Sequence, residues 1–204
     1  MPSVKLATNF YLVLTIVADA VVAVAVLLAL GALVSRRVRA AAVGTAVTVA
    51  PNATLLAWLV ALVTTTGSLY YSEHAGYIPC LLCWYQRILM YPLVIILLVA
   101  WLRKDRLVWL TVVPFVVIGA GVSLYHWLVE RVPAFAESSS CGLEAPCTAP
   151  WFEKLGFVTL AWMAMSAFLL VGTLMVCQIV GNKAAPAIPG GPDQDEHEME
   201  TLPS

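Results

Sequence analysis

The chain has 204 residues, 61% of them hydrophobic and 11% charged, with a formal net charge of -1. A soluble domain carries about a quarter charged residues, so an ordinary water-soluble globule is excluded. The near-neutral balance, with no basic cluster interleaved with aromatics, gives no signal for nucleic-acid binding. Long apolar runs set the class instead and predict an all-α, polytopic membrane bundle.

The first run covers residues 10–34, interrupted by Thr15 and Asp19, and ends at Ser35-Arg36-Arg37-Val38-Arg39. A cleaved signal peptide is shorter and carries its positive charges before the apolar stretch. Here they follow it, which predicts a transmembrane helix with its C-terminal end in the cytoplasm. An intramembrane carboxylate is costly, so Asp19 is either functional or structural, facing a neighbouring helix or snorkelling while protonated; the structural reading is preferred. Residues 40–51, small and containing Gly44 and Pro51, read as a linker. Asn52-Ala53-Thr54 has glycosylation spacing but falls on the cytoplasmic side and is discounted. A second helix is expected over 55–71, leading outward to a polar turn at 72–76 with Gly76 as breaker.

Tyr77-Ile78-Pro79-Cys80-Leu81-Leu82-Cys83-Trp84-Tyr85-Gln86-Arg87 then opens the helix predicted over 81–102. Pro79 suits a first helical turn. A helix beginning there puts Cys80, Cys83 and Arg87 at i, i+3 and i+7, on one face. Thiols at a helix N-terminus with a cation a turn below form thiolate readily. At about 1.5 Å per residue the helix crosses a hydrocarbon core of roughly 30 Å, with a kink expected at Pro92. Arg103-Lys104-Asp105-Arg106 marks its far end as cytoplasmic, on the side of the Arg36 cluster two spans earlier. Cys80 and Cys83 therefore face outward.

The next span is expected over 107–128, loosened by Pro114, Gly119 and Gly121. His126 and Glu130 stand at i, i+4 at its outer end, where Glu130 reads as a solvated helix end. The external loop over 130–155 carries Cys141 and Cys147, with Gly142 and Pro146 between them. A disulfide there is expected to be exposed and reducible. Ser138, Ser139 and Ser140, with Pro133, Pro146 and Pro150, fit a mobile loop. The last span, 157–180, runs inward and carries Cys177, read as a buried apolar residue. From Lys183 the acidic, Pro- and Gly-rich tail reads as disordered and cytoplasmic.

Four cysteines paired as C-x-x-C and C-x5-C at one membrane face point to redox chemistry, with metal binding as the rival. Thiol–disulfide exchange only moves electrons between pairs, so a final sink is required. In a membrane that sink is a lipid-soluble quinone. Arg87 is either a group that stabilises negative charge at Cys83 and on the quinone, or a snorkelling cation. Trp84, Tyr85 and Trp127 read as interface-belt aromatics.

The run Gly67-Ser68-Leu69-Tyr70-Tyr71-Ser72-Glu73, the C-x-x-C stretch through Leu93, and Ser123-Leu124-Tyr125-His126 form an ordered set. Val132-Pro133, the pair Cys141 and Cys147, and the segment 151–159 continue it. The set resembles the DsbB family of disulfide-bond formation proteins, particularly its BdbC-like branch, over roughly residues 53–180. The resemblance implies a four-helix redox domain over 46–182, preceded by an additional helix and basic linker (1–45) and followed by the tail (183–204). It implies a bacterial plasma-membrane protein whose cysteines face outside the cytoplasm. Cys83 would contact a quinone, menaquinone or ubiquinone, with Arg87 and His126 beside it. The Cys141–Cys147 pair would oxidise a DsbA/BdbD-like thioredoxin-fold partner and be re-oxidised by Cys80–Cys83, with Cys141 the sulfur expected to meet the partner. The rivals are a membrane metal-handling protein using the four outer thiols and a vitamin K epoxide reductase-like enzyme.

Overall fold

A single extended residue, Ser35, separates two long antiparallel helices, α1 (Pro2–Val34) and α2 (Arg36–Leu69), in a computed structural model that describes residues 2–137, 141 and 147–184. Arg39 Nε donates to Ala32 O at 3.2 Å, so the basic cluster caps the C-terminal carbonyls of α1. A π-helical turn, Tyr70–His74, ends α2. Gly76, at φ +71, provides the left-handed residue that breaks the chain before the next span. There follow α3 (Leu81–Leu102), α4 (Trp109–Arg131), the short α5 (Pro133–Glu137) and α6 (Leu160–Ala184).

Among the described residues, five helices are long and apolar enough to cross a membrane, and the fold is an all-α polytopic bundle. Consecutive spans alternate in direction. The Arg36-Arg37 and Arg103-Lys104 turns therefore share one end, and the C-x-x-C helix start, the end of α4 and the start of α6 share the other. Ser138, Ser139, Ser140, Gly142 and Pro146 and the tail beyond Ala184 lie outside the described residues. Lys183, expected to begin the tail, belongs to α6.

The linker expected over 40–51 is helical, and α2 runs through it and through Pro51. The reason is packing. Without water to drive apolar burial, membrane helices associate through close backbone approach at small residues. Ala53, Ala57 and Ala61, fully buried at i, i+4 and i+8, form such a face. α2 lies along α6, where a Cβ on Gly181 would collide with Ala50 Cβ and stand 2.9 Å from Ala46 O. Gln178 Nε2 donates to Thr54 Oγ1 at 3.1 Å across the same contact. The small residues that resemble a linker are thus an interhelical seam, and Pro51 sits on an exposed position of it.

Leu93, Leu97, Val112, Phe168, Val171 and Met175 are fully buried in the core between α3, α4 and α6. Gly119 is required there, because any Cβ would strike the Phe168 ring. α1 lies outside this core, against α2 and α6. Its inward stripe is Thr8, Tyr11, Thr15 and Ala18, at helical spacing, while Leu6, Leu27, Leu30 and Leu33 face outward. Asp19 Oδ2 accepts 3.0 Å from Trp162 Nε1, which is the interhelical reading of that carboxylate.

Candidate active site

Cys80 occupies the N-cap of α3, one residue before the helix. Its Sγ accepts from the Cys83 backbone N–H at 3.4 Å, and the two sulfurs are 3.0 Å apart. Both are free thiols. The Cys80 thiol is held well below the usual thiol range, chiefly because the Cys83 side chain hydrogen-bonds to it. Burial opposes this, while His126 and the Cys83 N–H reinforce it. Cys80 is thus the thiolate side of the pair.

Behind Cys80 lies a buried polar chain. His126 is 3% exposed, with Nε2 3.6 Å from Cys80 Sγ and Nδ1 3.2 Å from Gln86 Nε2. With the Gln86 amide donating to Nδ1, the imidazole proton sits on Nε2, facing Cys80. Nε2 is also 3.8 Å from Glu130 Oε1. Glu130 Oε2 accepts a 2.6 Å bond from Thr159 Oγ1, the residue that also caps α6 through a 3.4 Å bond from Trp162 N. The solvated helix end expected for Glu130 is therefore corrected: its side chain is 4% exposed and turned inward. The i, i+4 spacing from His126 aims it at the imidazole, and Thr159 holds it there.

Arg87 lies one turn below Cys83. Its Nε donates to Ser68 Oγ and its Nη2 to Ser68 O, both at 3.0 Å. Tyr91 OH adds a 3.1 Å bond to the same hydroxyl, and the guanidinium lies 5.5 Å from the Trp84 ring. Two bonds and a ring fix the cation in one orientation.

Cys141 and Cys147 form a disulfide. It is less exposed than the sequence suggests: Cys147 is 2% exposed and packs with Cys80, Leu82 and Val129, while Cys141 is only half-buried. The segment after Cys147 is anchored, through Arg131 Nη1 to Gly156 O at 2.8 Å and Trp127 Nε1 to Phe157 O at 3.0 Å. The apolar neighbours of Cys147 come from α3 and α4, so packing draws the disulfide inward.

Two cavities meet at Cys83. The smaller, about 320 Å³, is lined by Cys80, Cys83, His126, Glu130 and Cys147. The larger, about 360 Å³, is apolar for most of its wall and has Cys83, Gln86, Arg87 and Ser68 among its polar lining. Tyr77 stacks on Tyr71 at 5.6 Å and on Trp151 at 4.7 Å, and these three rings line the larger cavity. His126 lines the smaller cavity, with Cys80, Cys83 and Cys147.

The sequence reading missed Gln86, Ser68 and Thr159. Gln86 had a visible signal, since it falls at i+3 from Cys83 on the same α3 face. Thr159 had one too, as an N-cap residue before an apolar run. Ser68 had none, because only tertiary packing brings α2 to Arg87.

A model of the family described as disulfide bond formation protein DsbB matches residues 50–177. The chain belongs to this family. Disulfide bond formation protein C of Bacillus subtilis (strain 168) is 43% identical over 127 residues, 62% of this chain and 91% of the relative. A probable disulfide formation protein C of Halalkalibacterium halodurans is 42% identical over 130 residues, 63% of this chain and 92% of the relative. A probable disulfide formation protein of Coxiella burnetii (strain CbuK_Q154) is 41% identical over 121 residues, 59% of this chain and 82% of the relative. No solved structure matches at a significant level. This DsbB-family chain is thus a multi-pass membrane protein with disulfide oxidoreductase chemistry. The family match begins at residue 50, leaving α1 and the first part of α2 outside it.

Proposed function

We propose that this protein is a thiol:quinone oxidoreductase that re-oxidises a thioredoxin-like dithiol partner outside the cytoplasm. The observation that carries the reading is the position of Cys83. It lines both the cavity holding Cys147 and the apolar cavity holding Arg87, so it links the loop disulfide to the lipid side.

The larger cavity fits a lipid-soluble quinone. Its volume lies within the range of small-molecule sites, its wall is apolar, and its polar groups gather beside one thiol. Cys83, Arg87, Gln86 and Ser68 would hold the head group. When bound, a quinone supplies a sink for two electrons and two protons. Arg87, fixed by Ser68, favours negative charge at that end of the cavity.

The exchange steps balance as follows. The partner's two thiols become its disulfide, and Cys141–Cys147 is reduced to two thiols. Cys141, the more exposed residue of the pair, meets the partner. Cys147 then exchanges with an oxidised Cys80–Cys83 pair, closing the loop disulfide and opening the helix pair. Two electrons and two protons leave through Cys83 into the larger cavity. Once the helix pair opens, His126 Nε2–H steadies the Cys80 thiolate. The redox unit is residues 46–182, and the charge clusters at the opposite end of the bundle orient the cysteines outward.

A second reading rests on one observation: Cys80, Cys83 and His126 bring their donor atoms within 4.8 Å of one another. Three such ligands suit zinc. The loop disulfide removes the other two thiols from that set.

The deciding experiment is quinone reduction by the purified protein in nanodiscs, with a reduced thioredoxin-like protein as donor and Cys83→Ala and Cys141→Ala alongside. Reduction that needs both cysteines supports the relay. No reduction of menaquinone or ubiquinone, in a protein that carries stoichiometric zinc, would turn the reading to metal.

A further inference from the structure

We infer that α1, the helix outside the family match, forms the outer wall of the quinone cavity and helps select the quinone's isoprenoid chain. The inference rests on the quinone reading above. Tyr11, Leu14, Thr15, Ala18 and Val21 line the same cavity as Cys83 and Arg87. These positions recur at three and four residues, so they form one face of α1.

The helix is fastened rather than merely adjacent. Tyr71 OH donates to Thr8 Oγ1 at 3.3 Å, and Trp162 Nε1 donates to Asp19 Oδ2 at 3.0 Å. The Tyr11 ring lies over Gly67, where an added Cβ would stand 2.7 Å from it. These contacts lie along the cavity-lining stretch and join it to α2, the π-helical turn and α6. A carboxylate inside an apolar span is costly, and its bond to Trp162 gives it a role in holding this wall.

The cavity is also longer than a head group. Its lining runs from Ser72 in the π-helical turn back along α2 to Leu59, a rise of roughly 20 Å at 1.5 Å per residue. Ser68, Cys83 and Arg87 stand near the Ser72 end. The Leu59 end is walled by Val60 and Val63 with Val17 and Val21 of α1. A head group beside Cys83 leaves this apolar end for the isoprenoid chain. Without α1 that side would open directly to lipid, and the chain would be bound only as bilayer lipid is.

The test uses the full protein in nanodiscs and an azido-quinone photoprobe bearing an isoprenoid chain, with adducts mapped by mass spectrometry. Adducts on residues 11–21 are expected, together with adducts near Cys83. Ala18→Trp and Val21→Trp, which fill the deep end, should lower retained long-chain quinone about tenfold, the effect of displacing about two methylenes. Retention of a quinone lacking the chain should change little. Leu30→Trp, which puts the same side chain on the outward face of α1 away from the cavity, controls for folding. Labelling near Cys83 with none on residues 11–21, or unchanged retention in both Trp variants, would overturn the role of α1 alone. No retained quinone and no labelling in the unaltered protein would overturn the quinone reading and this inference together.

Discussion

Cys80 Sγ lies 3.6 Å from His126 Nε2, and the same nitrogen is 3.8 Å from Glu130 Oε1. A thiol at the membrane face is thus backed by an imidazole oriented from both sides. Gln86 fixes the tautomer at Nδ1, and Thr159 fixes the carboxylate. This chain predicts how the pair responds to pH.

A depressed Cys80 pKa means thiolate that persists below the ordinary thiol value of roughly 8.5 and is lost only on further acidification. Cys80 should therefore be alkylated readily at pH 6, as read by peptide mapping after iodoacetamide. His126→Ala removes one of the causes of a thiol pKa lowered to about 4, so its alkylation profile should shift to higher pH, with labelling near pH 3 slowed about tenfold for a shift of one unit. An unshifted profile would remove His126 from thiolate stabilisation.

Arg87→Ala should slow quinone reduction about a hundredfold, the usual loss for a preorganised charge-stabilising donor, while both disulfides still form. Arg87→Lys should not restore the rate, since one ammonium does not reproduce the two-point grip on Ser68. Steady-state kinetics with a quinone titration and non-reducing peptide maps read both halves of this expectation. Unchanged kinetics would reduce Arg87 to an interfacial cation.

Gly181→Ala should destabilise the protein by about 1–3 kcal/mol, because Ala46 and Ala50 of α2 leave no room for a methyl. Gly44→Ala, which meets open space, should be neutral or add about 0.5–1 kcal/mol of helix stability. Thermal unfolding in detergent compares the two. Equal effects would mean that residues 40–51 are not packed on α6.

Much of this was legible in the sequence. The five spans follow from hydropathy, and the cysteine partition follows from Arg36-Arg37 and Arg103-Lys104. Cys83 and Arg87, at i and i+4, share a face because helical spacing requires it. What could not be read is tertiary. Residues 40–51 look like a linker because Ala and Gly suit both a loop and a tight helix–helix seam, and only α6 decides between them. Glu130 looks solvated at a helix end until Thr159, far along the chain, turns it inward. Ser68 carries no local sign that it will hold Arg87. The loop cysteines read as exposed, yet Cys147 finds apolar partners from α3 and α4.

Cys177 lies on α6, near the end of the bundle opposite the cysteine pairs. Cys177→Ser should leave disulfide transfer unchanged, measured as the rate of partner oxidation. A large loss would reveal a third redox site.

The central claim is that the reduced loop pair hands electrons to the oxidised helix pair through Cys147 and Cys80, which share one buried cluster. It is tested most directly in the Cys83→Ala, Cys141→Ser double variant, treated with diamide in nanodiscs and digested without reduction. The account predicts an intramolecular Cys80–Cys147 disulfide, formed as diamide takes up the two electrons and two protons released. A chain that keeps both thiols free, or that crosslinks only between molecules, would contradict it.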